Sequence, residues 1–209
     1  MTPRPRELAG LIVLGLLLEH PRHPYELQRI CRERHHPLAG GLYHAINRLN
    51  KAGFVEACES QREGRRPERT VYRITGEGRE EFFGNLGELL TDAPADHTAT
   101  TTALSMIVHL PPSDAARLLG VRRTLLEGRI AALDAQQRLV AEHAHRVCGL
   151  ELEHLSQVWR AELTWLRSVL TDIERGDLDW NPEAVREDPG VLRAGAPKLR
   201  AVPTERSRS

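Results

Sequence analysis

From Leu8 to Leu18 the chain is apolar nearly all the way round a helical projection. A helix with no polar face has to be wrapped by other elements. The run "LAGLIVLGLLL" is about half of the roughly 20 residues that a bilayer crossing needs, so burial in protein is expected. "HPRHP" then interrupts the pattern. Pro24 can open the next helix, where its missing N–H costs nothing, and Tyr25, Leu27, Ile30 and Cys31 line one face up to about Arg34. After "HHPLAGG", Leu42, Ile46 and Leu49 recur at helical spacing within "GLYHAINRLNKAG", with Ala45 and Ala52 beside them and Gly53 as a C-terminal stop. Tyr43, His44, Asn47, Arg48, Asn50 and Lys51 are left facing outward.

The period then changes. "FVEACES", Phe54 to Ser60, and "RTVYRIT", Arg69 to Thr75, have the composition of strands, and "QREGRRPE" joins them. Gly64 lets that loop turn, and Pro67 cannot donate to a ladder, so it belongs in the loop or on an edge. Three helices followed by a two-stranded hairpin predict a winged helix-turn-helix whose wing is the basic loop.

Beyond the hairpin, "TGEGREEFFGNLGELL" predicts a fourth helix to about Leu90, and "TDAPADHTATTT" a linker whose later threonines open a fifth helix running to His109. Pro112 and Ser113, before Asp114, offer a new start. Leu126, Ile130, Leu133, Gln137, Val140, Ala144 and Val147 then fall at alternating steps of four and three. After a break near Cys148 and Gly149, Leu152, Leu155, Trp159, Leu163, Leu166, Leu170 and Ile173 follow at steps of three or four. These heptad-like stripes predict two long helices packed as a coiled-coil-like pair. The chain around them is strongly charged and offers little core, so a second copy is the expected cover. From Asp177 onward Pro, Gly and Arg accumulate with few large apolar groups. The expected organisation is mostly α, with a winged helix-turn-helix over 1–90, a long-helix dimerisation and effector domain over 91–180, and a disordered tail over 181–209 that Trp180 pins at its start.

Charge alters this picture because it is unevenly spread. The net charge of the 209 residues is zero, yet residues 1–76 carry 13 Lys and Arg against 8 Asp and Glu, and residues 77–180 carry 10 against 17. A basic front end on an acidic middle suits a polyanion-binding module attached to a part that must not bind polyanions. Three cysteines without Cys-x-x-Cys spacing suggest neither a disulfide framework nor a zinc ribbon. Cys31 with His35 and His36, and His143 and His145 with Cys148, have ligand types at close spacing but form no recognised metal site, so no metal or cofactor is expected. No cleavage site follows the apolar run, which places the chain in the cytoplasm, away from membranes. A phosphate-cradling glycine loop, a nucleophile elbow and inward-facing carboxylate pairs are all lacking, which argues against an enzyme.

A helix of this kind fits the major groove of B-DNA, where polar and aromatic side chains near its start reach base edges and cations reach phosphates. Tyr43, His44, Asn47 and Arg48 are the candidates for that role, with Lys51 on the backbone. Arg62, Arg65, Arg66 and Arg69 in the wing can meet phosphates or enter the adjacent minor groove. The bland alternative for both sets is a solvated surface.

The run from "VLGLLLEHPRHPYELQRICRER" through "GGLYHAINRLNKAGFVEACESQREGRRPERTVYRITGEGREEF" resembles the PadR-like transcriptional regulators over roughly residues 8–90. The resemblance puts Tyr25 and Glu26 in the second-helix motif, Leu42 and Tyr43 in the recognition motif, Gly53 at its turn, and Arg65, Arg66, Tyr72 and Thr75 in the wing and its exit. Pro24 departs from the family's usual glycine, and Gly41 and His44 from its frequent serine and proline, so a hydroxyl cap or phosphate contact is missing. "AELTWLRSVL" is similar to the family's C-terminal helical domain, with Trp165 at its aromatic position. The resemblance implies a homodimer on an inverted-repeat operator, and repression as the usual mode. It also implies a small aromatic effector, for which Trp159 and Trp165 are the candidate contacts, although both also suit helix packing. The alternatives are an activator of the same fold and a winged-helix adaptor that binds protein instead of DNA.

Overall fold

Leu8 to Glu19, most of helix α1 (Pro5–Glu19), are buried without interruption, as a helix without a polar face requires. In the computed structural model, which describes residues 5–33, 41–58, 70–92 and 97–188, it is sheathed on several sides. Around it lie α3 (Leu42–Lys51), β2 (Val71–Ile74), α4 (Gly76–Thr91), α5 (His97–Met106) and α8 (Pro182–Glu187). Gly15 permits the closest approach in this packing: a Cβ there would lie 2.6 Å from Met106 Sδ and 3.0 Å from Phe82 Cε2.

Helix α2 (Pro24–Glu33) begins at the predicted proline. His23 and Glu26 cap its start reciprocally: the Tyr25 N–H donates to His23 Nδ1 and the His23 N–H donates to Glu26 Oε2, both at 3.1 Å. Leu27, Ile30 and Cys31 turn inward against Leu42, Ala45 and Ile46 of α3. Gly53, at φ +80°, ends α3 in the left-handed conformation that favours glycine. β1 (Val55–Cys58) pairs antiparallel with β2 in the register Val55 to Ile74 and Cys58 to Val71. Arg22 extends the sheet by one residue on the other side of β2, exchanging two backbone hydrogen bonds of 3.0 Å with Tyr72.

Thr75 connects the wing to α4. Its Oγ1 donates to the Gly53 carbonyl at 2.7 Å and accepts the Gly78 N–H at 3.1 Å, so one hydroxyl caps α4 and ties it to the exit of α3. Thr75→Ala should cost about 1 kcal/mol through loss of the cap, with Thr75→Ser close to wild type. Urea unfolding followed by circular dichroism checks this, and an unchanged midpoint for the alanine variant would count against the cap.

A 3-10 turn (Ile107–His109) leads to α6 (Pro112–His143), and a second one (Arg146–Gly149) reverses the chain into α7 (Leu150–Glu174). Pro112 starts α6 as expected, but the first stripe ends early. Ala144 and Val147 lie beyond the helix and are exposed, because the chain leaves helical geometry after His143. The second stripe holds throughout: Leu163, Leu166 and Leu170 are buried, and Leu152, Leu155, Trp159 and Ile173 half-buried. The two helices pack antiparallel and present unlike sides. On one side Arg167 meets Glu127 at 2.8 Å and Arg160 meets Asp134 at 2.7 Å. On the other, Val121, Leu125, Gly128, Ala132, Ala135 and Leu139 are exposed along α6, and Val158, Ala161 and Trp165 along α7. Each of these α7 positions and Val121, Leu125 and Ala132 of α6 immediately precedes, or nearly so, an inward-facing one. In an antiparallel pair that offset turns both sets to the same side of the hairpin.

The tail expected from residue 181 opens instead with α8. The Asn181 side chain accepts the N–H groups of Glu183 and Ala184, and Pro182 stands in the first turn. Val185 is 2 % exposed, Trp180 Nε1 donates to the Leu110 carbonyl at 2.8 Å, and Arg186 donates to the His109 carbonyl at 3.2 Å. The segment is too short and polar to hold a helix by itself, and docking against α1 and the 3-10 turn supplies the missing burial. Residues 189–209 lie outside those described.

Candidate nucleic-acid interface

Helix α3 separates two kinds of side chain. Leu42, Ala45 and Ile46 are buried, and Tyr43, His44, Asn47, Arg48, Asn50 and Lys51 lie toward the outer surface, so the five helix residues singled out for a DNA-facing role share one outward side. Gly41 stands at the N-cap without a side-chain hydrogen bond, as its lack of a hydroxyl predicts. Its first-turn N–H groups are therefore not capped by that side chain, and first-turn donors together with the helix dipole favour an anion. Arg48 and Lys51 lie in the last turn, where cations are favourable to the helix.

The wing root is fixed to the end of this helix. The Phe54 N–H donates to the Leu49 carbonyl at 2.9 Å, and the Thr75 N–H donates to the Phe54 carbonyl at 3.1 Å. On the outer side of the hairpin, Arg73 Nε donates to Glu56 Oε1 at 2.7 Å between residues directly opposite in register. That hydrogen bond and the carboxylate charge raise the Arg73 pKa above its ordinary value. The pair cancels its own charge, so Arg73 adds little net positive potential. Arg62, Arg65, Arg66 and Arg69 fall in the segment joining β1 to β2, outside the described residues.

Two side-chain placements are less evident from spacing. Tyr25, placed by periodicity on the lined face of α2, is 62 % exposed at the start of that helix. The first turn of α2 turns it away from the core, with Leu27 taking the inward position. Arg122 falls four residues before Leu126, in register with the α6 stripe, and is buried there. A cation at a core position of a heptad pattern is the signal that marks it in the sequence.

Trp159 is half-buried and packs against the core, while Trp165 is 41 % exposed on the apolar side of the hairpin. The two tryptophans therefore lie on different faces of α7. Among the described residues no three His, Cys, Asp or Glu side chains converge as metal ligands do, and no helix is long and apolar enough to cross a membrane.

No curated protein matches the chain. Several solved structures are similar to it. Bacillus subtilis PadR in complex with operator DNA is 18 % identical, with 78 % of this chain and 98 % of that one covered at a TM-score of 0.36. Bacillus subtilis PadR in complex with p-coumaric acid is 17 % identical, with 83 % and 99 % covered at 0.35. A PadR-like transcriptional regulator from Bacillus cereus is 18 % identical, with 80 % and 99 % covered at 0.36. Residues 13–83, which run from α1 through the wing into α4, match the transcriptional regulator PadR-like family. The similarity to that family therefore lies in the segment that holds α1, α2, α3, the hairpin strands and the start of α4.

Proposed function

We propose that this protein is a homodimeric, sequence-specific DNA-binding regulator of transcription that acts in the cytoplasm as a repressor released by a small aromatic effector. The observation that carries the reading is the divided surface of α3, with Tyr43, His44, Asn47, Arg48 and Lys51 outward over a buried apolar base. A helix presented in this way, with a wing root anchored to its end, suits the major groove. The open apolar side of the α6–α7 hairpin supports the dimer, because a second copy related by a two-fold axis would cover it. Such a dimer sets its recognition helices roughly 34 Å apart and calls for an inverted-repeat operator. Trp165 lies on the side that the second copy would cover, so an effector held there would sit between protomers. Trp159 contributes packing from the opposite edge of the same helix.

The first experiment is fluorescence anisotropy of the protein with duplex DNA from upstream of its own gene, titrated against salt and against scrambled sequence. A steep negative salt slope and at least about a hundredfold preference for the native duplex are expected. Binding that ignores sequence would remove the specific-regulator reading. Reversing Arg65 and Arg66 to glutamate separates a DNA binder from a protein adaptor. Both affinity and salt slope should fall, with affinity down about a hundredfold at physiological salt. A variant that keeps wild-type DNA affinity would remove the wing from the interface.

A further inference from the structure

Arg122 of α6 is 2 % exposed and is the one fully buried arginine among the described residues. Its Nε donates to Glu162 Oε1 of α7 at 2.7 Å, and its terminal nitrogen Nη2 lies 2.6 Å from the same oxygen. Nη2 also donates to Thr100 Oγ1 of α5 at 2.9 Å. Nη1 donates to the Asp92 carbonyl, at the C-cap of α4, and to the Leu89 carbonyl at 3.4 Å. One guanidinium group therefore joins α4, α5, α6 and α7. A second contact reinforces the same corner, with Arg129 Nη2 3.5 Å from the Asp92 carboxylate.

The place of this group gives it its consequence. Helix α4 leaves the wing at Thr75, so its first turn is fixed to the DNA-reading unit, and its last carbonyls are among those with no donor inside the helix. Arg122 supplies donors to them from the hairpin. Apolar contacts such as those between α4 and α6 tolerate sliding, because they have no preferred direction. A planar fork of donors aimed at fixed acceptors admits one arrangement, and a buried guanidinium that loses its partners is heavily penalised.

We propose that Arg122 is a positioning residue for DNA recognition. It fixes the angle between the winged-helix unit and the α6–α7 hairpin, and so sets the distance between the two recognition helices of a dimer. This rests on the dimeric DNA-binding reading proposed for the protein. A residue that merely stabilised the fold would weaken binding to all duplexes alike, whereas a residue that sets the angle selects among half-site spacings.

The test uses the full chain and a set of duplexes in which the spacing between the operator half-sites is changed by one, two or three base pairs. Wild type should prefer one spacing by at least about tenfold. Arg122→Met keeps much of the side-chain volume and removes the donors. It should bring all spacings within about threefold of one another, while the protein still sediments as a dimer and binds a single half-site as wild type does. If Arg122→Met does not fold by circular dichroism, Glu162→Gln weakens one arm of the network and should flatten the profile in the same direction. A folded, dimeric variant with the wild-type spacing profile overturns the proposal. A wild-type protein that binds no DNA, or shows no spacing preference, overturns the reading beneath it as well.

Discussion

Replacing Leu125 and Ala132 by glutamate should turn the proposed dimer into a monomer and lower its affinity for an inverted-repeat operator on the order of a thousandfold. Both residues are exposed, on the side of the α6–α7 hairpin that also carries Val121, Leu139, Val158 and Trp165. Between residues 134 and 155 only Gly149 is buried, so this half of the hairpin lacks a core within its own chain. Contiguous apolar surface of this kind marks an interaction site, and carboxylates placed in its centre would be desolvated without partners. Loss of the partner removes the gain from binding two half-sites at once, which amounts to about 10²- to 10⁴-fold. Sedimentation velocity reads the oligomer and anisotropy reads the affinity. The opposite side supplies the control: Arg160→Ala breaks a pair with Asp134 that is largely exposed, and should leave the dimer in place. A double glutamate variant that still sediments as a dimer would place the interface elsewhere.

Gly78→Ala should unfold the winged-helix unit at a markedly lower temperature. A Cβ on Gly78 would lie 2.0 Å from the Phe54 carbonyl oxygen and 2.9 Å from Ile74 Cγ1. The first obstacle is backbone, so the clash cannot be relieved by a rotamer change. The first turn of α4 would have to retreat from the wing root, at the expense of the Thr75 contacts to Phe54 and Gly53. Overpacking against backbone costs about 3 kcal/mol or more, which in a chain of this size lowers Tm by about 6–12 °C. Gly84, on the exposed side of the same helix, has nothing within 4 Å of its Cβ position. Gly84→Ala should therefore stabilise, by about 0.5–1 kcal/mol, since alanine is the better helix former. Thermal unfolding of the two variants side by side checks both signs, and a Gly78→Ala protein as stable as wild type would mean that the close approach is not required.

The hairpin tip carries a smaller pH effect. Arg146 donates two hydrogen bonds to Glu153, at 3.0 and 2.9 Å, and the hydrogen bond from Arg146 holds the Glu153 carboxyl below its ordinary pKa. A depressed carboxylate pKa contributes stability that is present above the unfolded value and is lost as pH falls through the folded one. Both groups are exposed, so the contribution is screened by solvent.

Much of the architecture is legible in the sequence because its signals are local. Pro24, Gly53 and Pro112 act on their own backbone, and each ends or begins a helix where its chemistry predicts. The amphipathic division of α3 comes from spacing alone, since the 3.6-residue period determines which side chains share a face. Where local signals mislead, a distant surface decides the outcome. "NPEAV" contains a cap and a first-turn proline, yet α8 exists because Val185 finds a buried place against elements far away in sequence. The α6 stripe continues past the point at which the chain actually turns, because a heptad pattern does not specify where its helix stops.

The sequence by itself determined the order of elements, the buried and exposed faces of the helices, and the outward residues of α3, all of which depend on periodicity and on conformational limits within a few positions. Only the tertiary structure decided why Gly78 cannot carry a side chain, what Arg122 holds together, and which side of the hairpin is left uncovered. Those features depend on which distant segments meet, and no short-range pattern encodes the partner of a buried donor or the neighbour of a missing Cβ.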